Sequence, residues 1–234
     1  MWNGKNKALT FSFDDGVTQD ERAIEILNRY GLKATFNINS ALLGLPGSLG
    51  QGANLTNHTK IISSKVKEMY KEHEVAVHTL VHPNLTTLDE ETIIRQVEED
   101  RIKLSELCGY EVVGMAYPCG GVNNDDRVAK IIKENTGVKY ARTITSTNNF
   151  DLQTNYFRFN PSVYYIDENF EDVVDKFIAT DCDKPQLLYI WGHTYEMDMP
   201  NIPLTWEDFE RICKKLSNID GVFYGTNKQV LLDK

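Results

Sequence analysis

An α/β fold built on a parallel sheet is the prediction, and three observations carry it. Strand-type and helix-type segments alternate along almost the whole chain. No Gly-x-Gly-x-x-Gly or Walker-type loop follows a strand, which removes the main support for a nucleotide-binding open sheet. Chemically capable side chains gather where strands end, and a closed α/β barrel carries its function at the C-terminal ends of its strands. Alternation alone allows either a closed barrel or an open doubly wound sheet. A chain of 234 residues, 41% of them hydrophobic, suits one domain over 1–234 with a sizeable core.

Strands are expected at 8–13, 33–38, 74–78, 112–117, 138–142, 162–165, 186–191 and 222–224. The first ends on Asp14-Asp15-Gly16, residues that break a strand and place two carboxylates at its mouth. Thr18 and Glu21 read as a capping box for a helix whose stripe is Ala23, Leu27 and Tyr30, with Gly31 as its stop. The glycine-rich stretch 44–56 reads as a connector over one face, with shaping of a substrate groove as the alternative. Thr87 and Glu90 repeat the capping device for a longer helix with Ile93, Val97, Leu104 and Leu107 inward, ending at Gly109. Further amphipathic helices are marked by Val66/Met69/Tyr70, Val128/Ile131/Ile132, Phe170/Val173/Val174/Phe177 and Phe209/Ile212/Cys213/Leu216. These stripes belong to the core.

A net charge of −9 without a dense Lys/Arg run argues against nucleic acid as a partner. No stretch approaches the roughly 20 apolar residues of a membrane span. The polar start Met1-Trp2-Asn3-Gly4-Lys5 shows no signal peptide, so the expectation is cytoplasmic, a trimmed export signal being the alternative. Cys108, Cys119, Cys182 and Cys213 are widely spaced and lack a CxxC pair, so reduced thiols are expected. Oligomeric state leaves no trace in the sequence.

The chemistry concentrates in three motifs. Adjacent Asp14 and Asp15 point in different directions, so one can bind a metal while the other handles a proton. His78 ends an apolar strand and His82 follows four residues later beside Pro83. Two imidazoles and one carboxylate make a facial N,N,O set that holds a divalent ion and leaves positions open. His193 caps the apolar run Leu187-Leu188-Tyr189-Ile190-Trp191. His58, in a polar stretch, and His73, before a strand, read as surface or structural.

Phe11-Ser12-Phe13-Asp14-Asp15-Gly16, His78-Thr79-Leu80-Val81-His82, Met115-Ala116-Tyr117-Pro118-Cys119-Gly120 and Trp191-Gly192-His193 resemble, in order and place, the motifs of the polysaccharide deacetylase family. This is the NodB-homology domain of carbohydrate esterase family 4. The resemblance implies a distorted (β/α)7 barrel and a metal-dependent hydrolase that removes N-acetyl groups from an amino-sugar glycan. It implies one divalent ion, zinc first, with cobalt, nickel or iron as alternatives, held by Asp15, His78 and His82. It further implies Asp14 as catalytic base, His193 as catalytic acid, and the Cys119 N–H as part of an oxyanion site. Tyr117, Cys119 and Trp191 are the expected substrate-binding residues, the last as an acetyl-pocket wall, a stacking platform or a plain core aromatic.

The chain departs from that family pattern. The family's third motif carries an arginine two residues before its proline, where this chain has Ala116; Arg142 is the favoured substitute and Arg158 the other. Cys119 stands where an aromatic is usual, and Trp191 where a leucine is. Asp151 and Glu196 are candidates for the carboxylate behind His193. A related C–N hydrolase of small non-sugar amides and a silent glycan-binding protein are the competing readings.

Overall fold

The structure is a computed structural model that describes residues 1–181 and 183–233, so Cys182 lies outside the described residues. Among the described residues ten strands form: β1 (Lys7–Asp14), β2 (Ala34–Ile38), β3 (Ser48–Leu49), β4 (Thr56–Asn57), β5 (Glu74–Val77), β6 (Gly114–Ala116), β7 (Tyr140–Arg142), β8 (Val163–Tyr164), β9 (Gln186–Gly192) and β10 (Val222–Tyr224). Seven helices lie between and after them: α1 (Asp20–Arg29), α2 (Val66–Met69), α3 (Glu90–Cys108), α4 (Asp126–Asn135), α5 (Phe170–Ala179), α6 (Trp206–Leu216) and α7 (Asn227–Leu231).

The main sheet runs β7-β6-β5-β2-β1-β9-β8, with β10 against the start of β1, and every pairing is parallel. It curls into the distorted (β/α)7 barrel that the family resemblance implies, which settles the choice the alternation left open. One stretch of chain joins its two ends: Phe159 pairs with Arg142 at the end of β7, and Val163 pairs with Ile190 of β9. That irregular seam is the distortion.

β1 shows why the barrel is built as it is. Leu9, Phe11 and Phe13 alternate with Thr10, Ser12 and Asp14, so the strand's two faces differ in character. Phe11 and Phe13 meet Phe209 of α6 edge-on at 6.2 and 5.9 Å, placing the apolar face under the helices. Burial of each such ring stabilises by about 1.5–3 kcal/mol. Thr10 and Ser12 instead enter a polar interior. Thr10 Oγ1 donates to Asn227 Oδ1 (2.8 Å), and Ser12 Oγ accepts from Asn37 (2.9 Å), Arg142 (3.1 Å) and Asn227 (3.2 Å). Asn227 belongs to α7, a helix the sequence reading missed; its Thr226/Gln229 capping box was the available signal.

Two expected helix starts shift. Asp89, not Thr87, caps α3, its carboxylate accepting from Thr92 N at 2.8 Å, because an acid directly before the helix is already in capping position. The Thr18 hydroxyl instead donates to Gln19 Oε1 (3.2 Å) and accepts from Asn57 Nδ2 (3.0 Å), and α1 begins at Asp20 without a side-chain cap bond. Stretch 44–56 is not a plain connector: it folds into the β3/β4 hairpin and returns to the barrel mouth. Among the described residues Cys108, Cys119 and Cys213 are free thiols, and no helix is long and apolar enough to cross a membrane.

Asp20 adds a pH-dependent term to stability. It is fully buried, accepting from Thr194 Oγ1 and Tyr70 OH, both at 2.6 Å. Burial outweighs those bonds and pushes its pKa up to about 7. The unfolded carboxyl titrates near pH 3.9, so between the two values only the folded state keeps the proton, and stability falls as pH rises. The slope is about 1.4 kcal/mol per pH unit, a few kcal/mol in all, and nothing further is lost above the folded pKa. Asp20→Asn is expected to flatten this dependence in urea midpoints taken at pH 5 and pH 8. An unchanged slope refutes the assignment.

Candidate active site

Asp14 closes β1, and Asp15 and Gly16 follow with φ of 85° and 62°. A Cβ at Gly16 would sit 2.8 Å from Ile38 Cγ2, so this left-handed turn needs glycine for space as well as conformation. Thr79, His82 and Cys119 also have positive φ, at 68°, 60° and 70°. Four non-glycine residues held in this costly region at one barrel rim mark a place where the surroundings over-determine the backbone.

Asp15, His78 and His82 bring their ligating atoms within 4.8 Å of one another. His78 Nδ1 donates to Ala116 O at 2.9 Å, which fixes the ring and leaves Nε2 facing Asp15 Oδ1 at 3.9 Å. His82 Nε2 lies 3.6 Å from the same oxygen. Donors sharing one zinc-sized ion at about 2.0–2.2 Å stand roughly 3.0–3.5 Å apart, so this set must draw together to close on a divalent ion, the two imidazoles by a few tenths of an ångström toward Oδ1. Burial lowers the His78 pKa to about 4, more than the nearby carboxylates raise it, so its imidazole is neutral and ready to ligate.

Two residues outside the predicted set also reach Asp15. His58 Nε2 lies 3.2 Å from Oδ2, and the nearly buried Lys60 Nζ lies 3.3 Å from Oδ1. Burial alone would raise the Asp15 carboxyl, but the His58 hydrogen bond and the Lys60 charge lead the effects that hold it well below the usual range. His58 is therefore not a surface residue: the β3/β4 hairpin carries it to the rim, a long-range placement invisible in its polar neighbourhood. His73 is structural as expected, its Nδ1 accepting from Ala34 N at 3.2 Å.

Asp14 is held separately. Arg142 Nη2 donates to both of its carboxylate oxygens, and Asn37 Nδ2 donates to Oδ1 at 2.8 Å. Burial pushes the Asp14 carboxyl up, but Arg142, with His78 and His193, brings it below its ordinary value. Arg142 is fully buried, with its guanidinium 4.7 Å from the Trp191 ring centre. In the β6/β7 pairing Arg142 stands directly opposite Ala116, so its side chain rises beside the position where the family arginine is missing. Arg158 lies elsewhere, bound to Asp126 and Asn124.

His193 follows β9 with its Nδ1 3.1 Å from Glu196 Oε1. Burial by itself would lower its pKa, yet Glu196, aided by Asp14 and Asp15, holds it up to about 9. Glu196 is thus the carboxylate behind His193; Asp151 is exposed and pairs with Gln186 on the backbone. Gly192 is required beside it, because a Cβ there would fall 1.8 Å from the Tyr165 ring, whose hydroxyl donates to His193 O.

Asp14, Asp15, His78, His82 and His193 line one cavity of about 460 Å³, walled by Tyr164, Trp191, Cys119 and Tyr195. Trp191 stacks on Tyr164 with ring centres 4.2 Å apart, so it is at once a core aromatic and a cavity wall. Cys119 is part-exposed, its Sγ 3.8 Å from His82 Nδ1. Tyr117 also lines this cavity, although its side chain is fully buried and its hydroxyl donates to Phe157 O at 2.7 Å. Sequence reasoning missed Asn37 and Tyr164, although both are polar groups near strand ends.

Fold and site together define a class: a parallel α/β barrel whose C-terminal mouth gathers three donors able to hold one ion beside a buried carboxylate and a carboxylate-backed imidazole. Residues 3–141 match the family model described as polysaccharide deacetylase, and the chain belongs to that family. Over 120 residues it is 27% identical to the peptidoglycan-N-acetylglucosamine deacetylase PgdA of Listeria monocytogenes; the match covers 50% of this chain but only 22% of that protein. The fold is also that of the peptidoglycan deacetylase PdaC from Bacillus subtilis (TM-score 0.55, 19% identity, covering 97% of this chain and 90% of that one). A mutant carbohydrate esterase family 4 pseudoenzyme with restored activity superposes at TM-score 0.61 with 19% identity, covering 97% of this chain and 68% of that one.

Proposed function

We propose that this chain is a metal-dependent hydrolase that removes N-acetyl groups from an amino-sugar glycan, releasing acetate. One observation carries the reading: a base held by a buried guanidinium, a three-donor ion site and an imidazole backed by a carboxylate share a single cavity. A silent glycan-binding protein has no use for all three.

Asp15, His78 and His82 would hold the ion, which when bound supplies a water of lowered pKa and a Lewis acid for the acetyl carbonyl. Asp14 accepts the proton of the attacking water as the new C–O bond forms. The Cys119 N–H, which donates to no acceptor among the described residues, is free to take part in an oxyanion site. His193 delivers its proton to the amide nitrogen as the C–N bond breaks, leaving acetate and the free amine. Glu196 keeps His193 charged for that task.

The direct test combines metal analysis with acetate release on chitin oligomers, peptidoglycan fragments, monomeric N-acetyl sugars and small cyclic amides. Acetate from a glycan is the expected result; turnover of cyclic amides alone overturns the substrate class. Glu196→Gln gives a second check. His193 works protonated, so activity is lost as pH rises through its folded pKa, and removing the supporting charge lowers that pKa. The alkaline limb of the kcat/KM profile is expected to move to lower pH, and an unmoved limb denies Glu196 this role.

A further inference from the structure

We propose that His58 is a positioning residue of the metal site, an inference that rests on the metal-dependent reading above. Its Nε2–H donates to Asp15 Oδ2 across 3.2 Å, and this turns Oδ1 toward Nε2 of His78 and of His82. Oδ2 is thereby taken up by His58, while Oδ1, which Lys60 Nζ also approaches at 3.3 Å, is the oxygen that faces the two imidazoles. Outer-sphere partners of this kind orient a ligand and raise affinity for the ion by roughly 10–100-fold.

The segment bearing His58 is built to hold it there. His58 N donates to Gly47 O at 2.9 Å, Lys60 N to Leu45 O at 2.9 Å, Thr18 N to Thr59 O at 2.9 Å and Ile61 N to Gly16 O at 3.0 Å. A Cβ at Gly47 would fall 2.8 Å from His58 O, so glycine is what lets the hairpin approach this closely. Residues 58–61 are therefore clamped between the hairpin and the turn that follows Asp15. The imidazole also packs edge-on against Tyr195, with ring centres 4.8 Å apart, and its side chain is 17% exposed. Lys60 approaches Asp15 from the same segment, donating to its carbonyl at 2.8 Å, so residues far from the two metal motifs complete the cradle of the carboxylate.

The test measures zinc affinity by competition with a chromogenic chelator in wild type, His58→Phe and His58→Gln. Phenylalanine keeps the ring against Tyr195 and deletes the donor; glutamine restores a donor without a ring. His58→Phe is expected to bind zinc roughly 10–100-fold more weakly while still folding, with a modestly lowered thermal midpoint of the metal-free protein, and His58→Gln to recover most of the lost affinity. Should His58→Phe fail to fold, His58→Ala is read in the same way. Wild-type affinity in the phenylalanine variant overturns the proposal, and so does failure of glutamine to rescue. Wild-type protein that takes up no divalent ion overturns the metal reading itself, a result distinct from equal binding by all variants.

Discussion

Asp15→Ala is expected to lose both metal uptake and acetate release, whereas Asp14→Asn keeps the ion and loses turnover alone. The two acids are adjacent in sequence but belong to separate networks. Asp15 is the carboxylate whose Oδ1 faces both imidazoles, so without it the described donor set has two members. Asp14 touches Arg142 and Asn37 instead, and its loss removes a proton acceptor from an intact cradle. General-base removal costs about 10²–10⁴-fold in kcat. Asp15→Ala also strands the nearly buried Lys60 ammonium, so a fall in stability accompanies the loss of metal; Asp15→Asn removes the same charge while preserving shape, so it is expected to lose metal without leaving a cavity. Metal analysis and acetate release on the same preparations decide the matter. Tight metal binding by both Asp15 variants, or full activity in Asp14→Asn, refutes the division of roles.

How legible all this was in the sequence depends on the range of each contact. Asp14, Asp15, His78, His82 and His193 sit at the ends of apolar strands, and a parallel barrel brings such ends together, so local patterns sufficed to nominate them. Placing Arg142 at the end of a strand was enough to nominate it, but its registration opposite Ala116 depends on the β6/β7 pairing and is not written in either segment. Glu196 and Asp151 were indistinguishable as words; a tight turn three residues after His193 brings one of them back. The placement of His58 at the rim was missed because its partner lies 43 residues earlier and the hairpin between them has weak strand signals. The helix starts slipped for a smaller reason: where acids and hydroxyls crowd a boundary, the backbone selects one cap, and composition does not say which.

Arg142→Leu is expected to cost about 3–5 kcal/mol of stability and most of the activity, because it leaves Asp14 charged, buried and uncompensated. The sign of the pH effect follows from the same pair. Asp14 in the folded protein has a pKa below its ordinary value, so the pair contributes stability above the unfolded pKa and loses it as pH falls. Without the guanidinium, burial is opposed only by the more distant imidazoles and Asn37, and the carboxyl pKa rises. The base then stays protonated to higher pH, and the acid limb of the kcat/KM profile moves up. Arg142→Lys recovers part of each loss, since an ammonium supplies charge but cannot reproduce the guanidinium's simultaneous bonds to Asp14, Ser12 and Thr143 O. The strand pairing permits a sharper check. Ala116 and Arg142 are opposite one another, so Ala116→Arg combined with Arg142→Ala moves the guanidinium across one strand while roughly conserving volume. That double variant is expected to be more active than Arg142→Ala alone and to return the acid limb toward lower pH. If the acid limb stays fixed in Arg142→Leu while stability falls, the arginine only holds the barrel together, and the tuning of Asp14 must be sought in Asn37.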